Sequence, residues 1–295
     1  MTSVGVIAHT SKELGGGLPE LRKTLASYGI TDPPWQEVPK SKYVPDRIGQ
    51  LLDGGVDLLF VWGGDGTVQR AIDTVAGRPV TLAILPAGTA NLLATNLGLP
   101  DDLEACVRIG LHGDRRVLDI GKVNGERFGV MAGAGLDALM IRDADAGLKD
   151  KVGRLAYVWT GAKNVGSDPT KMTIEVDGNT WFEDKASCVL VGNVGDVLGG
   201  LSVFPEAAPD DGRLDIGVVT ADGWWEWART LGRSVVGDVS GSPFVQTTTG
   251  HSFVVRLEDP MPYQLDGGDR KPAKKLKIKV KPEAITIAVA EERNR

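Results

Sequence analysis

The chain has 295 residues and a mass of 31.3 kDa, and 39 of its residues are glycine. This is nearly twice the usual glycine share of about 7%. Proline is ordinary at 16 residues and glycine has no three-residue period, which excludes collagen-like and low-complexity chains. Hydrophobic residues make up 42% and charged residues 24%, so the chain can fill a globular core. At this length we expect two domains.

Charge and the scarce reactive residues exclude several classes of function. The net charge of −6 gives no general attraction to nucleic acid. Cys106 and Cys188 lie far apart and indicate reduced thiols, while His9, His112 and His251 are too scattered to predict a zinc site or a triad. The first residues do not resemble a signal peptide, and no apolar run approaches the length of a membrane span. We therefore expect a cytoplasmic protein without a transmembrane segment.

In the first 115 residues, short apolar runs alternate with segments of helical period. The predicted buried strands are 4–8, 56–62 and 80–85. The predicted helices carry these apolar stripes: Leu18, Leu21 and Leu25; Val68, Ala71, Ile72 and Val75; Ala90, Leu93, Ala94 and Leu97; Leu103, Cys106, Val107 and Gly110. Asp101 and Glu104 resemble a capping box for the last of them. This alternation predicts parallel βαβ units.

After about residue 116 the hydrophobic period shortens to two. Alternating stripes predict strands of an antiparallel sandwich at Met172, Ile174 and Val176; Leu214, Ile216 and Val218; Phe253, Val255 and Leu257; Leu276, Ile278 and Val280. Helical segments are predicted near 153–161 and 224–236. We therefore expect an α/β domain over 1–117 and an all-β domain over 118–281. The last residues, 282–295, could pack with either domain, and we expect them to pack back onto the first.

A glycine-rich loop between a buried strand and an amphipathic helix carries the sharpest local signal. It contains Gly63, Gly64, Asp65, Gly66 and Thr67. Glycines allow the backbone to approach a ligand, and the N-terminus of the following helix favours phosphate. A carboxylate beside phosphates indicates Mg²⁺. The alternative is a tight turn in which Asp65 or Thr67 only caps the helix.

A second loop follows the next strand and also begins a helix. Gly88, Thr89 and Asn91 lie in it, at the strand end where open α/β sheets bind ligands. Alone it would be a turn with a cap, but beside the first loop it predicts a second wall of one site.

Two other glycine patterns do not support a nucleotide site. The segment 133–138 fits G-x-G-x-x-A, but it lies in the period-two half and lacks the strand and ribose-binding acid of a Rossmann site. A P-loop sequence is absent.

Together these residues resemble the catalytic domain of the diacylglycerol kinase and sphingosine kinase family, which includes bacterial soluble lipid kinases. The resemblance rests first on the two loops, 63–67 and 85–91. It continues in order through 119–121 with Asn124, 132–138, 153–157, Asn193, 199–200, 205–215 and 264–267.

The resemblance implies an NAD-kinase-like α/β nucleotide domain, a β-sandwich and an active site between them. It implies transfer of the γ-phosphoryl group of ATP to a lipid hydroxyl such as that of diacylglycerol, at a membrane surface, with Mg²⁺. The residues that it implies around the phosphates and along the nucleotide are Gly63, Gly64, Gly66, Thr67, Gly88, Thr89 and Asn91. Asp65 would organise Mg²⁺–ATP, Asp119 would join the magnesium network, and Asp210 and Asp211 would form a structural metal site. A homodimer is a further expectation.

Two departures from the family pattern bear on activity. The first strand usually ends in Asn-Pro followed by small residues, but here it continues as Ala8-His9-Thr10-Ser11, so the phosphate contact could come from Thr10, Ser11 or the glycines at 15–17. The late Asp-Gly-Glu of the family supplies the expected base, and this chain has Gly268 in place of the glutamate. We hypothesise that Asp269 or Asp266 acts as the base.

Two surface features allow more than one interpretation. Trp224 and Trp227 lie on one stripe of the helix predicted at 224–236, which either packs on the β domain or inserts into a lipid interface. The alternating lysines from Lys274 to Lys281 indicate the solvent face of a strand.

The expected function is a lipid kinase. The alternatives are a catalytically weak nucleotide- or lipid-binding member of the same fold, and a kinase for another small molecule such as NAD.

Overall fold

The computed structural model describes residues 2–135, 169–198, 201–221 and 243–291. It contains an α/β unit and a β-sandwich, as the sequence predicts. The first compact unit is Met1–Leu118 with Glu283–Arg295, and the second is Asp119–Pro282. The helices predicted at 153–161 and 224–236, the glycines at 199–200 and the end of the 132–138 motif lie outside the described residues.

The first unit is a parallel sheet with helices. Its strands are β1 (Val4–His9), β2 (Trp35–Val38), β3 (Leu58–Gly63) and β4 (Thr81–Pro86), in the order β2-β1-β3-β4. The end of the last strand of the chain adds a fifth parallel partner, because Thr286 and Ile287 pair with Thr81 and Leu82 of β4. The C-terminal residues thus belong to the sheet of this unit.

Five helices accompany the sheet: α1 (Gly17–Ser27), α2 (Val44–Asp53), α3 (Asp65–Val75), α4 (Leu92–Asn96) and α5 (Leu103–His112). Their buried residues follow the predicted stripes of α1, α3 and α5. The predicted stripe from Ala90 to Leu97 forms only the short α4, because Asn91 begins it in the left-handed region at φ 49°.

Two local predictions need correction or addition. The N-cap of α5 is Asp102 and not Asp101, since the Asp102 carboxylate accepts the Ala105 amide hydrogen at 2.7 Å. The strand β2 and the helix α2 were not predicted. Helix α2 has only three buried residues, Val44, Ile48 and Leu51, so its apolar stripe in the sequence is short.

The second unit is built from antiparallel strands. They are β5 (Asp114–Val123, which begins in the first unit), β6 (Glu126–Phe128), β7 (Met131–Ala134), β8 (Thr170–Val176), β9 (Asn179–Ala186), β10 (Cys188–Gly192), β11 (Asp196–Leu198), β12 (Leu201–Ser202), β13 (Leu214–Val219), β14 (Val245–Gly250), β15 (Ser252–Leu265) and β16 (Gly268–Val289). The final strand, β16, runs on into the first unit.

The long strand β15 connects two groups of strands in this unit. Its first half pairs with β8, and its second half pairs with β7. The register against β16 shifts between Arg256 and Met261, which is the kind of irregularity that lets one strand serve two sheets. Strand β7 leads on through β10 and β13 to β14.

The predicted period-two residues form the core of this unit. Met172, Ile174, Leu214, Ile216 and Val218 are completely buried. Between β8 and β9, Asp177 and Gly178 both have positive φ, which is the geometry of a two-residue hairpin turn. The predicted lysine face of β16 is exposed, and no helix of the described residues is long and apolar enough to cross a membrane.

Candidate active site

The first glycine loop connects β3 to α3 without a side-chain cap. Gly64 is the N-cap residue in extended conformation, and neither Asp65 nor Thr67 caps the helix, so the simple capping interpretation is wrong. A Cβ on Gly63 would lie 2.5 Å from the Thr67 side chain, so the glycine lets α3 begin directly against the strand end. The Thr67 hydroxyl lies 3.1 Å from the Ser41 hydroxyl. The loop is therefore closely packed by its own helix and by a serine from the segment before α2.

The second glycine loop is closed by the side chain of Asn91. The Asn91 Oδ1 accepts the Gly88 amide hydrogen at 2.9 Å, and Nδ2 donates to the carbonyl oxygens of Pro86 and Gly88. These three bonds use both amide hydrogens and the carbonyl oxygen of the Asn91 side chain within the loop. Thr89 is exposed at the tip of the loop. Asn91 thus shapes the loop, and Thr89 is the side chain of this pair that projects to solvent.

The two loops touch through their backbones. A Cβ on Gly88 would lie 2.4 Å from the Gly64 Cα, and a Cβ on Gly64 would lie 3.1 Å from the Gly88 Cα. Any side chain at Gly88 would separate the loops, because both neighbouring atoms belong to backbone or to the engaged Asn91. Glycine is required here for close approach, since neither residue has a positive φ.

Asp65 ties the two loops together. Its Oδ2 accepts the Asn91 amide hydrogen at 3.0 Å, and its Oδ1 accepts the Leu92 amide hydrogen at 2.7 Å. Burial raises the pKa of the Asp65 carboxyl, while these amides and the positive charge of Lys12 act in the opposite direction. Asp65 therefore joins the start of α3 to the start of α4, and each oxygen accepts one of these amides.

The loop after β1 lies beside this pair. The Thr10 hydroxyl faces the Val38 carbonyl oxygen at 3.5 Å, and the Ser11 hydroxyl lies 3.1 Å from the His9 ring nitrogen Nδ1. Burial, and then the charge of Lys12, lower the pKa of His9. The Lys12 side chain approaches the glycine loop, with its Cε 3.9 Å from a Cβ position on Gly64. Sequence reasoning considered Thr10, Ser11 and the glycines at 15–17, and it missed Lys12.

In the second unit, Asp266 is buried and accepts three backbone hydrogen bonds. Its carboxylate binds the amides of Gly129, Val130 and Met131 at 2.8–2.9 Å. Only 4% of the residue is exposed, and its φ of 45° places it in a tight turn with Gly267. Both oxygens of Asp266 are thus engaged by the backbone of the β6–β7 connection and the start of β7.

Asp269 and Gly268 begin β16. Asp269 is exposed and pairs in register with Gln264 of β15. A Cβ on Gly268 would lie 3.0 Å from Nη1 of Arg270, whose guanidinium binds Glu126. The end of a long side chain can move, so the backbone at Gly268 allows a larger residue.

The predicted metal ligands of the second unit lie on two connected segments. The Asp119 amide donates to the Pro209 carbonyl oxygen, and the Asp119 carboxylate accepts the Gly212 amide hydrogen at 2.6 Å. Asp119 is therefore beside the segment that contains Asp210 and Asp211. The Asp211 carboxylate accepts the Arg213 amide hydrogen. Within the four described ranges, no group of three or more His, Cys, Asp or Glu residues is placed to hold a metal ion.

The predicted site residues of the first unit lie close together in the structure. In the first unit these are Gly63, Gly64, Asp65, Gly66, Thr67, Gly88, Thr89 and Asn91. Lys12, Ser41 and His9 join them and were not predicted. The only signal was the position of His9 at the end of the first parallel strand and of Lys12 shortly after it, because the carboxyl ends of such strands meet at one edge.

Two family models match the chain in adjacent segments. The model described as diacylglycerol kinase catalytic domain matches residues 18–123. The model described as YegS C-terminal NAD kinase beta sandwich-like domain matches residues 130–289. The two matches follow the chain order of the α/β unit and the sandwich.

Relatives agree with these models. A diacylglycerol kinase of Bacillus subtilis (strain 168) is 31% identical over 216 residues, which cover 72% of this chain and 71% of the relative. A Shewanella frigidimarina protein named "Probable lipid kinase YegS-like" is 28% identical over 265 residues, covering 86% and 82%.

Solved structures share the fold. A diacylglycerol kinase structure from Bacillus anthracis str. Sterne has a TM-score of 0.77 at 23% identity, covering 97% of this chain and 96% of the other. An NAD kinase from Archaeoglobus fulgidus, solved in complex with ATP, has a TM-score of 0.54 at 11% identity, covering 97% and 92%. The matched models and the relatives together show that this chain belongs to the diacylglycerol kinase family of lipid kinases.

Proposed function

We propose that this protein transfers the γ-phosphoryl group of ATP to a hydroxyl group of a membrane lipid such as diacylglycerol. The observation that carries the proposal is the backbone contact between Gly64 and Gly88, fixed by Asp65, in a chain of the lipid kinase family. No side chain covers this contact, so a phosphate can approach the backbone of the loops closely. The start of α3 adds the positive end of a helix.

The donor set at this edge is suited to a nucleotide with Mg²⁺. Asp65 places a carboxylate at this edge, and magnesium typically binds one or two carboxylates together with substrate phosphates and water. Asp65 is thus the residue of this edge that would hold the ion, directly or through water. When bound, Mg²⁺ neutralises the negative charge that develops on the phosphates.

We assign different tasks to the protein's own groups. The glycines 63, 64, 66 and 88 would admit the phosphates, while Thr67 would hold the first loop through Ser41. Asn91 would maintain the second loop, and Thr89 would face the nucleotide. Positioning and charge carry most of the catalysis in phosphoryl transfer.

For the general base we favour Asp269 over Asp266. The amides of Gly129, Val130 and Met131, in the β6–β7 connection and at the start of β7, bind the Asp266 carboxylate and would hold it away from a lipid hydroxyl. Asp269 is exposed at the start of β16. Asp119, Asp210 and Asp211 remain predicted ligands of a structural metal, and docking at a membrane surface, a homodimer and a cytoplasmic location also remain predictions.

A direct assay tests the function. The purified chain is incubated with radiolabelled ATP, Mg²⁺ and either diacylglycerol, a sphingoid base, phosphatidylglycerol or NAD. Label transfer to one lipid, and its absence with an analogue that lacks the hydroxyl, is the expected result. Transfer to NAD alone would contradict the lipid assignment. ATP binding without any transfer would favour the second candidate, a catalytically weak nucleotide- or lipid-binding protein of the same fold. Gly268, in place of the expected glutamate, is the observation that keeps this candidate.

The base is tested by two substitutions. We expect Asp269→Asn to lower kcat by about 10²-fold or more, since general-base help is typically worth 10²–10⁴-fold. We expect Gly268→Glu in that background to restore activity, and Gly268→Gln to restore none. An unchanged kcat in Asp269→Asn would refute the assignment of Asp269.

A further inference from the structure

Gln264 is a buried polar side chain whose hydrogen bonds are incomplete. Only 2% of the residue is exposed. Its Oε1 accepts the Gly267 amide hydrogen at 2.8 Å, and since only an oxygen can accept this bond, the orientation of the side-chain amide is defined. Its Nε2 is buried and has no acceptor among the described residues. Buried donors without a partner cost stability and are rare in folded proteins, so the turn at Gly267 does not explain this group.

Gln264 lies on the face of its sheet that is turned away from the sandwich core. Leu265 and Ala132, which are paired between β15 and β7, both belong to that core. Successive side chains of a strand point to opposite faces, so Gln264 and its partner Gly133 lie on the second face. Leu190 of β10 pairs with Gly133 and lies on the same second face.

Along this second face the side chains change from acidic to polar to apolar. Asp269 of β16 lies directly opposite Gln264 and is exposed, and side chains of directly opposite residues have Cβ atoms about 4.5–5.5 Å apart. On the other side of Gln264, a Cβ on Gly133 would lie 2.7 Å from Cδ2 of Leu190, so the leucine covers the glycine. A carboxylate, an amide donor and an aliphatic side chain thus follow one another across the four neighbouring strands β16, β15, β7 and β10.

The order of these groups matches the order of groups in an acyl lipid. Next to the free hydroxyl, such a lipid carries an ester carbonyl, which accepts hydrogen bonds, and then a hydrocarbon chain. With its hydroxyl at Asp269, the lipid would bring the carbonyl oxygen to the Gln264 amide and the chain to Leu190. A ligand that reaches the exposed Asp269 is within one residue of the unpaired donor.

We propose that Gln264 is a specificity-determining residue for the lipid, and that its Nε2 donates a hydrogen bond to the ester carbonyl oxygen beside the reacting hydroxyl. The inference rests on the proposed transfer to a lipid hydroxyl. A site with a buried donor selects against an analogue without the acceptor, because the donor then stays unpaired. A sphingoid base has an ammonium group beside its hydroxyl, so two donors would face each other. Gln264 therefore favours an acyl glycerol over a sphingoid base.

The first test compares two lipids that differ only in the acceptor. The values of kcat and KM are measured in micelles with a 1,2-diacylglycerol and with the 1,2-dialkylglycerol of equal chain length, which keeps the hydroxyl but has no carbonyl. We expect wild type to use the ester lipid with a kcat/KM about tenfold higher. Gln264→Met should lose this preference by losing activity on the ester lipid alone. Gln246→Met is the matched control at an exposed glutamine of β14, and it should keep the preference.

The second test measures binding without catalysis. The side-chain amide of Gln264 is observed by NMR in protein that is labelled with ¹⁵N only at glutamine, and its signal is identified by its absence from Gln264→Asn. We expect diacylglycerol in micelles to shift this signal. Dialkylglycerol in micelles and Mg²⁺–ATP should each leave it in place.

Each other outcome has a definite meaning. An equal preference in wild type and Gln264→Met overturns the proposal, and so does an equal loss with both lipids, which would show a purely structural role. If Gln264→Met does not fold, a wild type without preference or an unshifted signal overturns it as well. A shift with Mg²⁺–ATP alone would assign the amide to the nucleotide and overturns the lipid contact.

Failure of the proposed function gives a different result. If diacylglycerol shifts the Gln264 signal but is not phosphorylated, the proposed function fails and this inference stands. If diacylglycerol is phosphorylated without a shift, only this inference fails. With neither a shift nor phosphorylation, both fail.

Discussion

Asp65 and Asp266 show how the same side chain performs different tasks in the two units. Asp65 accepts one amide on each oxygen and joins two loops at the edge of a parallel sheet. Asp266 accepts three amides and fixes one segment inside the sandwich. Asp65 is partly exposed, and Asp266 is almost fully buried. Sequence reasoning assigned a catalytic role to both.

A buried aspartate must therefore be judged by its partners. Asp266 accepts three backbone amide hydrogens from one segment and thereby stabilises the fold. Asp65 links two loops, so we expect it to affect both the fold and the proposed site. Substitutions at the two positions separate these roles.

The largest effect is expected for Asp266→Ala. Removing the carboxylate leaves three buried amides without a partner, and each costs about 1–3 kcal/mol. We expect the free energy of unfolding to fall by at least about 3 kcal/mol, measured by urea denaturation, with Asp266→Asn intermediate and the exposed Asp269→Ala close to wild type. A stable Asp266→Ala protein with a greatly reduced kcat would instead identify Asp266 as a base.

Asp65→Ala should act mainly on activity. The two loops would lose the bonds that set their distance, and small displacements of positioning groups can cost about 10²-fold in rate. We therefore expect kcat/KM to fall by about 10²-fold with a smaller loss of stability than in Asp266→Ala. Activity within twofold of wild type would show that the loops hold their positions without Asp65.

Much of the fold could be predicted from the sequence because the hydrophobic pattern of a strand or helix is set by residues that are close together in the chain. Alternation at Leu214, Ile216 and Val218 specifies one buried face of a strand, and all three are completely buried. The stripe of α3 likewise specified which face packs on the sheet. The helix α4 was overestimated, because Asn91 uses its side chain to close a loop and begins the helix late.

The site was predicted only in part because its key contacts join distant residues. Residue types and spacing indicated both glycine loops, but the bond from Leu92 to Asp65 requires β3 and β4 to be neighbours. Lys12 has no motif and is placed by the bond from Trp62, fifty residues away. The three amides on Asp266 lie more than 130 residues from it, so its structural role could not be read from the Asp-Gly turn.

Gly88→Ala tests the contact between the loops, and its expected effect is smaller than that of Asp65→Ala. The added methyl would lie 2.4 Å from the Gly64 Cα, and overpacking of this kind typically costs about 1–3 kcal/mol. We expect a lower melting temperature and a raised KM for ATP. The matched control is Gly49→Ala in α2, where nothing lies within 4 Å, and it should stabilise the helix by about 0.5–1 kcal/mol. Equal behaviour of the two variants would contradict the close approach.

The smallest effect concerns His9, which lies beside Lys12 at the end of β1. Its pKa is lowered in the folded protein from 6.5, first by burial and then by Lys12, so the unfolded chain takes up a proton at a higher pH than the folded chain. The stability that neutral His9 provides is complete well above pH 6.5 and is lost as the pH falls through 6.5 toward the folded pKa. His9→Asn keeps an acceptor for Ser11 but does not titrate. We therefore expect the melting temperature of wild type to fall more than that of His9→Asn between pH 7.5 and pH 5. Parallel curves would mean that His9 titrates alike in both states, and a steeper fall in the variant would mean that folding raises the pKa of His9.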